Sequence, residues 1–280
     1  MSIIKISYKK PKEINELKEL EKNIKKIYIQ EKIDGKLSDS FIESCTKIEK
    51  KLYLCLVGER VDIEDLHVIM YEAPTKRFVI EGAILEDGKL IYLPPEVTSK
   101  MCLCLGLIIV PTFYAGPLTK KIIDESLNRD SAFKNTINPN LIKLIKKENI
   151  IKISKTENVI EGSVIKKYED GFESYKIVRK EFEEIKKHYP RERYNHLRVK
   201  NIIRVYDPEE FYNYWEKYVF KPLGLKIDEN LYQMAYENYC YSYDKDTLEG
   251  FIRSIPEENK KVAIKNIKEL LLECFEVCAI

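Results

Sequence analysis

Lys32, Asp34 and Gly35, in the run Glu31-Lys32-Ile33-Asp34-Gly35, are the first residues whose types and spacing could do covalent chemistry. A lysine bonds to phosphorus only as the neutral amine, so its ordinary pKa of ~10.4 must be lowered by nearby cations or a bound metal. Gly35 would let the backbone approach a ligand. The same residues also suit a surface hairpin turn. A second set, Glu161-Gly162-Ser163-Val164-Ile165-Lys166, begins 129 residues after Lys32 and is followed by Tyr175-Lys176-Ile177-Val178-Arg179. Read as strands, Glu161 and Ser163 share a face, as do Lys176 and Val178 on the partner strand. A carboxylate there can hold a divalent cation, and a lysine can neutralise phosphate charge. Either piece alone is ordinary for a solvated strand edge; their occurrence together and in order singles them out.

Such residues must be carried by strands. Glu13 to Lys26 has apolar residues at helical spacing, and Ile27 to Gln30 reads as the strand that delivers Lys32. From 31 to about 112 the alternation predicts mostly antiparallel sheet, with strands at Leu52–Val57, His67–Tyr71, Phe78–Leu85 and Lys89–Leu93. Pro95 to Gly106 has the Pro start and Gly stop of a helix, Leu107 to Pro111 reads as a strand, and 118–128 and 139–148 read as helices. Val159–Lys167 and Phe172–Val178, joined by Glu169-Asp170-Gly171, form a hairpin pattern. Beyond it Phe182–His188, Pro208–Phe220, Asn230–Tyr241, Thr247–Arg253 and Pro256–Phe275 favour helix, with Asp207 and Asp246 as candidate N-caps. A boundary near Tyr189-Pro190 divides a first domain, 1–189, from a smaller helical one, 190–280.

With 280 residues, 44% hydrophobic and 34% charged, the chain is long enough to bury a sizeable core, which excludes disorder along its whole length. The 48 basic and 46 acidic side chains nearly cancel, so a polyanion would have to be held by a local basic surface. The start, MSIIKISYKK, lacks the apolar core of a signal peptide, and the longest apolar run, Met101 to Val110, is about half the roughly 20 residues of a membrane-spanning helix. Neither secretion nor membrane integration is expected. Seven cysteines without a Cys-x-x-Cys pair, and only three histidines, fit reduced thiols in a cytoplasmic setting and argue against a structural zinc site.

In these motifs the sequence resembles the covalent nucleotidyltransferases and, within them, the ATP-dependent RNA ligase family. Lys32-x-Asp34-Gly35 is similar to motif I, whose lysine is adenylated; Glu161 to Lys166 is similar to motif IV; the Lys176 segment is similar to motif V. Lys176-Ile-Val-Arg179-x-Glu-Phe182 looks like the RNA ligase form, with Val178 where DNA ligases carry a second lysine. Gly106 to Thr119 and Leu127 to Ser131 resemble the segment leading to motif IV. Leu54–Arg60 best matches motif Ia, whose arginine contacts the nucleotide. Glu72 suits motif III, with Glu81 the competing register; Phe78 is the nearest aromatic for stacking on adenine in motif IIIa, and Ile80 the alternative. The resemblance spans roughly residues 25–185.

It implies an α+β, ATP-grasp-like nucleotidyltransferase domain of antiparallel sheets with flanking helices. The implied chemistry is attack of Lys32 on ATP, transfer of AMP to an RNA 5′-phosphate, and sealing by a 3′-hydroxyl. Nucleotide contacts would come from Glu31, chiefly through its backbone, and from Asp34, Gly35, Arg60, Glu72, Phe78, Glu161, Lys176 and Arg179. Mg2+ or Mn2+ would sit at Glu161. Expected partners are ATP and RNA ends or nicked RNA, with no membrane and no protein partner. The alternatives are a DNA ligase or mRNA guanylyltransferase on the same fold, or a non-catalytic RNA-binding protein. Past 190, the aromatics Phe211, Tyr212, Tyr214, Trp215, Tyr218 and Phe220 beside Lys217 and Lys221 suit an RNA platform or, by periodicity and more strongly, a helical core. The basic stretch Lys186–Arg204 is the better candidate for RNA contact, or a solvated connector. His67, Cys102 and Cys104 read as packed.

Overall fold

The β-branched and aromatic side chains of Ile27-Tyr-Ile make a strand that is buried on both faces, and it lies inside a five-stranded sheet. The structure, a computed structural model, describes residues 11–13, 25–37, 44–49, 52–62, 67–87, 89–243, 245 and 248–278. The strands are β1 (Lys12–Glu13), β2 (Ile27–Lys32), β3 (Lys36–Leu37), β4 (Ser44–Glu49), β5 (Leu52–Arg60), β6 (Ile69–Ala73), β7 (Arg77–Glu86) and β8 (Lys89–Leu93). Then come α1 (Pro95–Leu105), β9 (Thr112–Gly116), α2 (Lys120–Asn128), β10 (Asn135–Ile137), α3 (Pro139–Glu148), β11 (Gly162–Lys167), β12 (Glu173–Val178) and α4 (Lys180–His188). The remainder is α5 (Arg191–Tyr194), β13 (Ile202–Ile203), α6 (Pro208–Trp215), α7 (Glu229–Ser242), α8 (Leu248–Ser254) and α9 (Glu257–Cys278).

The architecture is α+β. One sheet runs β1-β12-β11-β2-β9, antiparallel except where β1 joins β12; a second runs β3-β5-β7-β8 with β4 also on β5; a small third is β10-β6-β13. In the first sheet Lys32 lies opposite Gly162, which lies opposite Val178, and Gln30, Val164 and Lys176 form the next row. Paired residues share a face, so this register alone gathers the side chains of interest. The segment Leu107–Pro111, expected as a strand, makes a single bridge to β7 at Ile109; regular pairing begins only at Thr112. It runs between the sheets, with Val79 bonded on one side to Ile108 and Val110, and Pro111 accepting from the Glu31 amide.

Helix boundaries follow their caps. Proline at the first position and Gly106 in the left-handed conformation bound α1; Asn138 accepts two amides at the head of α3; Asp207 and Glu210 form a reciprocal capping box on α6. Helix α1 is buried along Met101–Leu105, where α7 and α9 cover it, and Asn238 donates to the Cys104 carbonyl. Phe211, Tyr214, Trp215 and Phe220 belong to the same buried cluster as Phe78 and Phe133, so they are core and not a platform. An aromatic ladder joins the parts: Phe78 to Phe133 at 4.8 Å between ring centres, then Phe133 to Tyr214 at 5.5 Å.

The expected strand His67–Tyr71 is displaced to Ile69–Ala73, because Asp34 takes the amides of Val68 and Ile69 before sheet pairing begins. Of the helix expected over Glu13–Lys26, positions 14–24 lie outside the described residues, and Glu13 is strand. Asp246 also lies outside them. Among the described residues no helix is long and apolar enough to cross a membrane.

Candidate functional site

Between the first two sheets lies a cavity of about 240 Å3 whose floor is the shared face of β2, β11 and β12: Gln30, Lys32, Val164, Lys166 and Lys176. Its other walls come from Leu37, Glu59, Ile80 and Val110. Lys32 Nζ donates to Glu161 Oε2 at 2.6 Å, so two motif residues separated by 129 positions in sequence are hydrogen-bonded. Lys186, from α4, donates to the other oxygen, Oε1, at 2.6 Å and lies 3.5 Å from Asp34 Oδ1. Glu161 is thus almost fully buried, 1% exposed, with both oxygens on ammonium groups.

Glu161 precedes β11, and strand alternation does not extend to it. The expectation that it shares a face with Ser163 fails: Ser163 turns away to Ser126, while Glu161 turns to Lys32. The glycines of both motifs serve chain packing. A side chain at Gly35 would meet the Arg60 carbonyl at 2.5 Å, and one at Gly162 would collide with the Ile177 carbonyl. Gly35 therefore admits strand β5, where a ligand was expected.

Burial pulls the Lys32 ammonium toward release of its proton, but Glu161, Glu59 and Asp34 together outweigh it and the net direction is upward. A lowered pKa, which nucleophilic attack requires, is not what this arrangement gives. Glu59, taken out of water and facing the carboxylates of Glu161 and Asp34, is pushed up to about 7 although Lys32 opposes this. Burial also works against the Asp34 carboxylate, yet Lys186, His67 and Lys32 hold it below its ordinary value. Three acids, Glu161, Asp34 and Glu59, thus gather around Lys32 and Lys186, with Lys166 and Lys176 also on the cavity floor. No group of three metal-ligating side chains occurs among the described residues. The donor set accordingly fits an ion brought in by phosphates and touched by one or two carboxylates.

Glu31 points to the other face of β2. Its carboxylate accepts from Ser131 Oγ at 2.6 Å and from the Ala132 amide at 3.0 Å, and burial raises it to about 7. Its side chain, set aside in the sequence reading, therefore holds the 131–132 segment. Arg60 is bound to Asp62 at 2.9 and 3.0 Å, Arg179 pairs with Glu181 at 2.7 Å, and neither lines the cavity. Glu72 is taken by Arg204 at 2.5 Å and Lys134 at 3.3 Å and borders a different cavity. The competing Glu81 is the one joined to the site, through an ion pair with the buried Lys166 at 2.9 Å and a hydrogen bond from Tyr168. Phe78 is fully buried against Phe133, and Ile80 takes the place on the cavity wall expected for it.

Sequence reasoning placed Lys166 in the motif IV match and Lys186 in the basic stretch offered for RNA contact, and assigned no role to Glu59 or Gln30. Alternation from Lys32 and Lys176 along the register would have found Gln30 and Lys166 on the cavity floor; the contact of Lys186 with Glu161 has no signal before its helix is docked. Gln30 is 1% exposed, its amide NH2 donates to Thr112 at 3.2 Å, and its Oε1, in a residue lining the cavity, has no hydrogen-bond partner among the described residues. A buried unpaired acceptor is costly enough to suggest a donor on the ligand. Compared with family models, curated proteins and solved structures, the chain matches none of them.

Proposed function

We propose that this chain is an ATP-dependent RNA ligase that works through a covalent lysyl-AMP on Lys32. The observation that carries the reading is that Lys32 shares one cavity with Lys166 and Lys176 and is hydrogen-bonded to the buried Glu161 beside it, all four from segments that resemble the family's motifs. In the first step the neutral Lys32 amine attacks the α-phosphorus, a P–N bond forms, and the bond to pyrophosphate breaks. AMP then passes to an RNA 5′-phosphate, and a 3′-hydroxyl displaces it to make the phosphodiester.

Magnesium, held by Glu161 and Glu59 together with phosphate oxygens, would supply positive charge against the developing oxyanions. The chain's own part is to position and neutralise: Lys166 and Lys176 approach phosphate oxygens from the sheet floor, and Lys186 shares Glu161 with the nucleophile. Gln30, whose Oε1 is unpaired, offers an amide to a base edge, which adenine through its 6-amino group and guanine through its 2-amino group could both meet. The rival guanylyltransferase reading is therefore decided by the nucleotide that labels the protein, and a DNA ligase remains a matter of substrate.

The test is incubation with magnesium and α-phosphate-labelled ATP, with GTP in parallel, on protein shown by mass to carry no AMP beforehand. Acid-labile label from ATP that disappears in Lys32→Ala is expected. Label from GTP alone would replace the reading with capping chemistry, and no label from either would leave a fold that binds without reacting.

A further inference from the structure

A second cavity, of about 590 Å3, is bordered by the face of α6 and the turns after it. Glu31 stands between the two cavities: it lines the first, and its carboxylate accepts from the amide of Ala132, which borders the second. The helix does not end in the ordinary way here. At Glu216–Phe220 it widens into a π turn, then tightens into a 3-10 turn at Lys221–Leu223 and stops at Gly224, with φ +70°. Such turns are rare and recur at functional sites. This one sets Lys217, Tyr218 and Lys221 along one wall, with Tyr206 contributing another ring.

The walls have a definite chemistry. Lys217 and Lys221 are exposed and have no ion-pair partner among the described residues; Lys217 rests over the Tyr218 ring at 4.8 Å. Of the bordering acids, Glu210 gives both oxygens to Arg204 at 2.8 and 2.6 Å, and Glu216 stands exposed. Two available ammonium groups beside aromatic faces match a ligand that joins phosphate to a flat ring. Tyr214, on the same wall, donates to the carbonyl of Ile109, the neighbour of Val110 in the first cavity, which fixes the second site to the first.

We propose that this cavity binds one nucleotide of single-stranded RNA, its base against Tyr206 and Tyr218 and its phosphates on Lys217 and Lys221. It rests on the RNA-joining reading for its ligand and lies across β2 from Lys32, so it anchors the strand away from the reacting end. It also divides the aromatic cluster of 211–220: Phe211, Trp215 and Phe220 hold the core, and Tyr218 serves the ligand.

The experiment is fluorescence anisotropy of the full chain with a labelled, 5′-phosphorylated single-stranded oligoribonucleotide, without ATP and over a range of salt. Tyr218→Leu is expected to weaken binding about tenfold, within the range for loss of one stacked base, and Tyr218→Phe to restore it. Lys217→Ala with Lys221→Ala should lower the slope of log affinity against log salt by about 1.4, as for two phosphates on a single strand. Lys121→Ala, on α2 and paired with Glu125, should change neither, and each variant is to melt cooperatively. Unaltered affinity and slope in the double variant, or no RNA binding by the wild type, would overturn the site. Because ATP is absent, a Lys32 that takes no label would remove the ligase reading while these results still decide the cavity.

Discussion

One carboxylate, Glu161, is shared by two ammonium groups, and with Glu59 and Asp34 it overcomes the effect of burial and keeps Lys32 protonated in this arrangement. On the proposed ligase reading a lysine so held is stored, and it becomes reactive only when positive charge competes for Glu161; Lys186 already does so in part. Glu31, its neighbour in sequence, is the clearer titrating group because it faces away from that cluster. Its carboxyl moves from an ordinary 4.5 to about 7 on folding, with burial as the leading cause and Ser131 and Ala132 opposing. Between those values the folded chain binds more protons than the unfolded one, so stability falls as pH rises through the interval and is level on either side. Asp34 has the opposite sign: its depressed pKa gives stability that is lost as pH falls through its folded value. Melting midpoints between about pH 5 and pH 8 should therefore decline less in Glu31→Gln than in the wild type. Coincident profiles would mean that Glu31 is ionised throughout.

At the scale of elements, α6 depends on its first turn. Asp207 accepts the Glu210 amide at 2.9 Å and Glu210 accepts the Asp207 amide at 3.2 Å. Asp207→Ala should cost about 1 kcal/mol in urea unfolding with an unchanged slope, whereas a loss indistinguishable from zero would assign the helix start to Pro208 alone. This cap was legible in the sequence because a capping box is local chemistry. So were β2, β7, the β11–β12 hairpin and α1, each marked by periodicity or by a Pro start and Gly stop. What was not legible depends on neighbours distant in sequence. Leu107–Pro111 looks like a strand because every residue is buried, yet it lies between two sheets and belongs to neither ladder. The π turn at 216–220 has no composition of its own. For the site the same division holds: Lys32, Glu161 and Lys176 carry a spacing that survives without a fold, whereas Arg60, Glu72 and Arg179 rested on the likeness of short segments to the family's motifs and Phe78 on being the nearest aromatic. Phe78 and Ile80, two positions apart, would share a face in a regular strand; the register shift opposite Val57 and Gly58 leaves Ile80 unpaired, and one residue is core while the other lines the cavity.

At the scale of the molecule, the helices after residue 190 are bound into the core that the sheets begin. Helix α1 belongs to the first segment of chain, but its buried stripe is covered by α7 and α9, and Gly106 lies so near α7 that a side chain there would strike the Tyr239 amide. Strand β13 pairs with β6, and Asn201 accepts the Tyr71 amide at 2.7 Å. Re-exposing a handful of such side chains costs about 1.5–3 kcal/mol each, which soon matches the roughly 5–15 kcal/mol that stabilises a domain. A fragment of residues 1–189 is therefore expected to lack a cooperative melt and a near-ultraviolet circular dichroism signal, and to regain both when 190–280 is co-expressed with it. A cooperative transition in the fragment alone would mean that the helices only dock on a finished domain. The distinction matters for the proposed function. Lys186 reaches Glu161 from α4, just before the division, and Phe182 and Ile185 of that helix sit in the same buried cluster as Phe211 and Trp215. Loosening the C-terminal helices should thus release Lys186 from Glu161 and alter the charge around Lys32 without touching a residue of the cavity.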